Sequence, residues 1–477
     1  MYSNNLRLMG KYICEFFIVL LFFLIVSICV IFEILNIENA ILVLLLFLGF
    51  YPMVKAFLTN TDVFSPAILM PATYTLYALG PLIEQRSFPP EIYIKYLILQ
   101  LIGLLSMQGG IYFGKRSKKV IKNNMYYDLM KERKLLLTTA VLLIFLALPS
   151  ILTQFYAFGG FSNFLRIGYG GQRYIILNSS FILGTGFEWL LLGAIILVVF
   201  GIKYSSKLIL MCGGILYITT VVILLKIGAR GIIISSILFG AVLYNYLIKK
   251  ISNRIAILGI LIGISLAQYY ALARFYLPQG LFYALYETYK GVIQNPNLIL
   301  PWAANEFRMP AMSLIEILQY ADTQRVYGAS YLGAISSIFP FVSRFFNKII
   351  FNPNIWRLEA FYPDILAKGG GLGFSPVAEG YLNFGLLGVV LHLFLYGFII
   401  GKIYKLAKTK NSFLWILFYA GSIPVFMLTG MRINSSTFVY QWIRTYLMPF
   451  FIFLLLKIYF KRKKELQNEI DSYSNNT

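Results

Sequence analysis

The residues with the chemistry to act on a substrate fall in four stretches. In GGGLGFSPVAEGYLNFGLLGVV (369–390), a glycine-rich loop and a Ser-Pro turn run into an apolar segment. Ser375 stands where a helix N-cap belongs, and Glu379 follows about one turn later, which suits the positive end of a helix dipole. Such a carboxylate either complements that dipole or, held at the mouth of a membrane cavity, accepts a proton or binds sugar hydroxyls. In KIGARGIIISSILFG (226–240), Arg230 lies between Gly228 and Gly231 at the mouth of an apolar segment. A guanidinium there either anchors at the interface or grips phosphate oxygens through its planar fork. MRINSSTFVYQWIRTYLMPFF (431–451) carries Arg432 and Arg444 with Asn434, Ser435 and Ser436. The more polar stretch 274–376 adds Arg274 and Arg308, with Asp364 as the next candidate base. His392 is the only histidine, so no Ser-His-Asp triad without it and no histidine-rich metal site can be built. Deep in an apolar segment, it reads as structural.

These residues need elements to hold them, and the composition says which. Of 477 residues, 59% are apolar and 13% charged, against roughly 25% charged in soluble proteins. Runs such as 16–32 and 135–149 carry no charge at all. That excludes a soluble enzyme, a disordered chain and a secreted disulfide scaffold. About 20 apolar residues cross a bilayer as a helix. The pattern predicts an all-α polytopic membrane protein with about 12 transmembrane helices. Continuous rather than alternating apolar runs argue against a β-barrel. Spans are expected near 12–33, 37–57, 64–84, 92–113, 135–157, 181–202, 208–225, 231–248, 255–273, 377–401, 412–430 and 446–460. The first reads as an uncleaved helix rather than a signal peptide. Cys14, Cys29 and Cys212 fall inside spans, with no metal or redox spacing.

Lysine and arginine orient this arrangement. Arg7 and Lys11, Lys55, KRSKK (115–119) with KERK (131–134), Lys203 and Lys207, KKISNR (249–254), KIYKLAKTK (402–410) and KRKK (461–464) all land on one side, as the positive-inside rule requires. Both termini are then cytoplasmic. The organisation is an N-terminal bundle (1–273), a large external loop (274–376) carrying short amphipathic helices such as 311–320, C-terminal helices (377–460) and a cytoplasmic tail (461–477). Of 25 Lys, 20 fall inside, whereas 11 of 16 Arg fall outside. Lysine suffices for orientation, so an outer face rich in arginine points to an anionic ligand such as a lipid diphosphate. Arginine snorkelling to lipid head groups is the bland alternative. The net charge of +22 mostly orients helices and does not indicate nucleic acid. Aromatics in the external loop, among them Tyr276, Trp302, Tyr327, Tyr331 and Trp356, suit either an interfacial belt or a sugar groove.

The order of these segments resembles the Wzy-type oligosaccharide repeat-unit polymerases of bacterial O-antigen and capsule assembly. KIGARGIII (226–234), YGASYLGAISSIFP (327–340), GLGFSPVAEGYLNFGLLGVVLHLFLYGFIIG (371–401) and MRINSSTFVYQWIRTYLMP (431–449) carry the resemblance. The N-terminal half is similar only in hydropathy. The resemblance implies an enzyme of the cytoplasmic membrane that joins two undecaprenyl-diphosphate-linked oligosaccharides at its outer face. A sugar hydroxyl of the incoming unit attacks the anomeric carbon of the growing glycan, which leaves its lipid diphosphate. The leaving group already carries the activation, so no cofactor or metal is expected. Arg230 and Arg432 are then diphosphate ligands, Glu379 the base or acceptor-binding group, and Arg274 and Arg308 auxiliary clamps. Ser375 and Arg444 complete the substrate-binding set. The expected partners are the lipid-linked oligosaccharide, the bilayer, a chain-length regulator and a flippase. A lipid-linked oligosaccharide flippase and an O-antigen ligase are the competing readings. The flippase would not need so long an external loop. Ligases place a His where Phe374 stands, ahead of Ser375, nine residues, and then Gly385 and Gly388, and that departure favours a polymerase.

Overall fold

Helices that are apolar on every side are stable only where no face meets water, and this chain is built from them. The computed structural model describes residues 21–116, 129–166, 186–299, 305–338, 351–367 and 370–474, apart from single positions 23, 32, 60, 275, 321, 323 and 411. Among them are helices and no strand. The first group is α1 (Ile37–Leu58), α2 (Pro66–Ala78), α3 (Pro90–Lys115), α4 (Leu129–Ala157) and α5 (Phe161–Arg166). It is followed by α6 (Gly186–Lys203), α7 (Lys207–Lys226), α8 (Arg230–Leu247) and α9 (Asn253–Ala273). The stretch expected as a loop carries α10 (Leu281–Gln294), α11 (Asn305–Tyr320), α12 (Ala329–Ile338), α13 (Pro353–Phe361) and α14 (Pro363–Ala367). The chain closes with α15 (Pro376–Lys410), α16 (Phe413–Pro424), α17 (Ser435–Gln441) and α18 (Met448–Ser474).

The protein is a multi-pass membrane protein. Nine helices among the described residues are long and apolar enough to cross a bilayer, fewer than the about 12 expected. Three expected spans make the difference. That near 12–33 lies largely outside the described residues, with helix visible at 24–31. That near 64–84 becomes the 13-residue α2 followed by a 3-10 turn, Gly80–Ser87. That near 412–430 becomes α16, which loosens at Pro424 into a π turn, Val425–Thr429, because proline lacks the amide donor a continuous helix needs. The basic loop from Ser117, most of 158–180, Trp302 and Arg344 lie outside the described residues.

The most extensive packing joins α15 to α3, and glycine makes it possible. Gly110 and Gly114 of α3 face Gly397 and Gly401 of α15. A Cβ on Gly397 would stand 2.1 Å from the Met107 carbonyl oxygen, and one on Gly110 2.0 Å from that of Phe394. Small residues four apart let backbones touch, which is how helices associate in lipid, where no hydrophobic drive acts between them. Gly397→Val is expected to wedge the pair apart at a cost of about 1–3 kcal/mol, read as a lower melting temperature in detergent. Gly214 of α7 has nothing within 4 Å of its Cβ position, so Gly214→Ala should leave that temperature unchanged or slightly raised. Equal melting of the two variants would reject the close seam.

Helix ends are tied at both ends of the bundle. At one, the Asp62 Oδ2 accepts from Tyr246 Oη at 2.6 Å, Tyr404 Oη at 2.9 Å and Lys408 Nζ at 2.8 Å. Nearby, the Asn253 amide donates to the carbonyls of Ala56, Thr59 and Thr61. These bonds fasten the turn after α1 to α8, α9 and α15. At the other end, α10 keeps an amphipathic pattern, with Phe282, Tyr286, Tyr289 and Ile293 exposed and Ala284 and Thr288 buried. The stretch 311–320 is helical, as expected. In it, α11 buries Ala311, Leu314, Ile315, Ile317 and Leu318 against α2, α3, α15 and the Gly80 turn. Its one acid in that stretch, Glu316, pairs there with the buried Arg357.

Candidate functional site

The glycine-rich loop is shaped by a backbone crossing. Gly373 has φ +81°, and a Cβ on it would lie 2.5 Å from the Arg432 carbonyl oxygen, so this position needs glycine. The next amide, Phe374 N–H, donates to that same carbonyl at 2.8 Å. The two motifs at 369–390 and 431–451 are thereby joined through main chain. Ser375 caps the helix as its spacing predicts: its Oγ accepts from Ala378 N–H at 3.1 Å, and its own N–H donates to Ser313 Oγ at 3.1 Å. The helix then breaks at Phe384 and Gly385, where Gly385 has φ +60°. A short arm, 376–383, folds back on the long one so closely that a Cβ on Gly388 would lie 1.9 Å from the Gly380 carbonyl oxygen.

That arm carries Glu379 into the interior. The expectation of a carboxylate lining an open cavity mouth is corrected: Glu379 is 0% exposed. Its Oε1 accepts from Ser330 Oγ at 2.8 Å, and its Oε2 accepts from Ser435 N–H at 2.7 Å and Ser435 Oγ at 2.9 Å. The carboxylate therefore caps the N-terminus of α17, a favourable place for an anion, besides standing in the first turn of its own arm. Asn383, one turn on, donates to Ser330 Oγ at 2.8 Å and accepts from Gly328 N–H at 2.9 Å, docking the start of α12. His392 stands beside this group rather than in an inert apolar setting. Its Nδ1 lies 3.3 Å from Tyr331 Oη and its Nε2 3.3 Å from Ser435 Oγ.

The arginines divide. Arg230 starts α8 and donates to the Ala267 carbonyl at 3.0 Å. Arg230 and Arg432 both lie within Coulombic reach of Tyr77. Tyr77 packs edge-on against Phe307, with ring centroids 4.9 Å apart. The neighbouring Arg308 has its backbone against Gly80. Arg274 ends α9, with its N–H on the Tyr270 carbonyl, and Tyr270 is within reach of the Arg230 charge. Arg230 and Arg432 thus come together about Tyr77. Arg444 bonds the Tyr440 hydroxyl and lies within Coulombic reach of Glu188. Asp364 is exposed, in the first turn of α14.

Two polar groups escape sequence reasoning. Arg357 is 0% exposed and forks onto Glu316, Nε to Oε2 at 2.5 Å and Nη2 to Oε1 at 2.7 Å. Its Nη1 donates to the Gly373 carbonyl at 2.8 Å, so it holds the glycine-rich loop. Tyr362 donates to Glu316 Oε1 at 2.8 Å; burial and then the Glu316 charge push its phenol up to about 12, keeping it a neutral donor. Elsewhere, Asp322 pairs with Lys95 at 2.6 Å and accepts from Tyr381 at 2.5 Å. Burial alone would raise its carboxyl, but those two bonds outweigh it and hold the group below the usual carboxylate range. Among the described residues no group of three or more His, Cys, Asp or Glu side chains gathers as a metal site. The described cysteines, Cys29 and Cys212, are free thiols.

Residues 311–464 match the family model of the O-antigen polysaccharide polymerase Wzy. The matched span runs from α11 into α18 and contains Glu316, Arg357, Glu379, His392, Arg432 and Ser435, while Arg230 precedes it. The resemblance read from sequence is borne out there. No curated protein and no solved structure matches the chain.

Proposed function

We propose that this protein polymerises undecaprenyl-diphosphate-linked oligosaccharide repeat units into O-antigen or capsular polysaccharide at the outer face of the cytoplasmic membrane. The observation that carries this reading is the polymerase family match over the residues that build the Glu379 network. The chemistry agrees with it. A diphosphate leaving group departs with the electron pair of the anomeric C–O bond, and fixed cations near it stabilise the charge that develops. Arg230 and Arg432 are assigned to the diphosphate, with Arg274 and Arg308 as auxiliary clamps. Glu379 accepts the proton of the attacking sugar hydroxyl. No metal is required, because the lipid diphosphate carries the activation. Ser375 shapes the site through its N-cap. Arg444, facing Tyr440 and Glu188, is assigned to packing. A chain-length regulator and a flippase are the expected partners in the cell.

The test is reconstitution of the purified protein in a bilayer with lipid-linked repeat units isolated from cells lacking it. A ladder of lengthening glycans is the expected result. Single transfer onto a lipid A core would replace the reading with a ligase. Movement of the lipid across the bilayer without a new glycosidic bond would replace it with a flippase.

A further inference from the structure

A base that touches no solvent cannot take a proton directly from a substrate hydroxyl, yet Glu379 is fully buried. The hydrogen bonds around it supply a route. Ser435 has a single hydroxyl hydrogen, and it is donated to Glu379 Oε2 at 2.9 Å. Towards His392 the Ser435 oxygen can therefore only accept, so Nε2 carries the ring proton across the 3.3 Å contact. In a neutral imidazole the other nitrogen is then the acceptor. Tyr331 Oη, 3.3 Å from Nδ1, must be the donor. The count orients every bond the same way: Tyr331 to His392, His392 to Ser435, Ser435 to Glu379. The Pro376 carbonyl also faces the imidazole and is a further acceptor for its N–H. Tyr331 is half-buried at the start of α12, near Tyr327 at 78% exposure and Phe384 at 43%. Having donated its hydrogen inward, its oxygen keeps two lone pairs: the Asn383 amide lies within hydrogen-bonding reach of one, and the other can accept from outside.

We infer that Tyr331, His392 and Ser435 are a proton relay from the rim of the site to Glu379. The inference rests on the glycosyl-transfer reading above and names how its buried base is reached. As the acceptor sugar oxygen bonds to the anomeric carbon, the C–O bond to the diphosphate breaks and its electron pair leaves with the diphosphate. The acceptor proton passes to Tyr331 Oη. The Tyr331 hydrogen moves to His392 Nδ1, the Nε2 hydrogen to Ser435 Oγ, and the Ser435 hydrogen to Glu379 Oε2. Each relay group ends neutral, one proton is gained by Glu379, and the return of that proton to water or to the lipid diphosphate resets the chain. In this scheme Tyr331 is the group that meets substrate, and His392 and Ser435 act through it.

The test uses the full-length protein in bilayers with lipid-linked repeat units isolated from cells lacking it. Tyr331→Phe removes the entry hydroxyl, His392→Gln keeps hydrogen bonding but cannot accept and release a proton, and Ser435→Ala keeps the main-chain bond to Glu379. Each is expected to lower kcat by about a hundredfold, within the range for acid–base groups, with KM for the donor and the melting temperature unchanged. The wild-type rate should curve with deuterium fraction, as several protons move together, and His392→Gln should lose that curvature. Wild-type kcat in Tyr331→Phe and His392→Gln, with Glu379→Gln inactive, would overturn the relay and leave the polymerase reading standing. Losses that track a lowered melting temperature in all three variants would also overturn it. A wild-type protein that makes no polymer would instead sink the reading beneath it.

Discussion

Glu379→Gln should lose polymerisation by about a hundred- to ten-thousandfold, the range for removal of an acid–base group, while the protein stays folded. The geometry explains why the two effects separate. The amide oxygen can accept from the Ser435 N–H and hydroxyl, which occupy one carboxylate oxygen at 2.7 and 2.9 Å. The amide nitrogen can then face Ser330, whose hydroxyl reverses from donor to acceptor. Hydrogen bonding survives, at the cost of the charge that favours the α17 N-terminus, typically about 0.3–1 kcal/mol. What does not survive is a site that can take a proton. The pH profile gives a second measurement. A base must be ionised in the active complex, so the wild-type rate should fall on the acidic side, and Gln should remove that limb. A Gln variant with wild-type ladders and an unchanged profile would eliminate Glu379 as the acceptor and move attention to Asp364 or Asp322.

The second large effect is on stability and comes from Arg357→Met. The guanidinium is fully buried and bidentate on a carboxylate that is itself 5% exposed. Removing one partner strands the other charge away from water, which costs about 3–5 kcal/mol. The Gly373 carbonyl also loses its donor, so the loop that leads to Glu379 should loosen and activity should fall with the melting temperature. A second substitution separates the causes. Arg357→Met with Glu316→Leu removes both charges, and replacement of a buried pair by apolar residues is often neutral or better. The double variant should recover most of the melting temperature. If it melts as low as the single variant, the pair stabilises through contacts other than charge.

The elements were largely legible in the sequence because lipid demands long apolar helices, and the nine clear spans follow their hydropathy closely. The shorter pieces were harder. A chain of apolar residues does not announce that Pro424 will unwind α16 or that Gly385 will fold α15 back on itself. The N-cap at Ser375 and the placement of Glu379 in the first turn could be read locally, because both depend on neighbours a few residues away. The network could not. Ser330, His392 and Ser435 come from three helices, and only tertiary packing brings the two serines to one carboxylate and the imidazole beside Ser435. Asn383, four residues after Glu379, was the one member whose spacing put it on the same helical face. Arg357 looked like any loop cation, since its partner Glu316 lies in a helix whose burial sequence alone did not suggest. The meeting of the glycine pairs of α3 and α15 depends on tertiary packing in the same way.

That glycine seam has a consequence for synthesis. Gly110 and Phe394, which touch across it, are 284 residues apart in the chain. At roughly 5–20 residues per second, α3 enters the bilayer on the order of half a minute before its partner exists. Until then its glycine face has only lipid or earlier helices to rest on. A ribosome that stops short of α15 therefore releases an N-terminal bundle that is fully inserted but carries an open groove along α3. Quality control in the membrane has a clear mark by which to tell that product from the finished one, and a detached C-terminal segment that starts at α15 has a groove into which to dock.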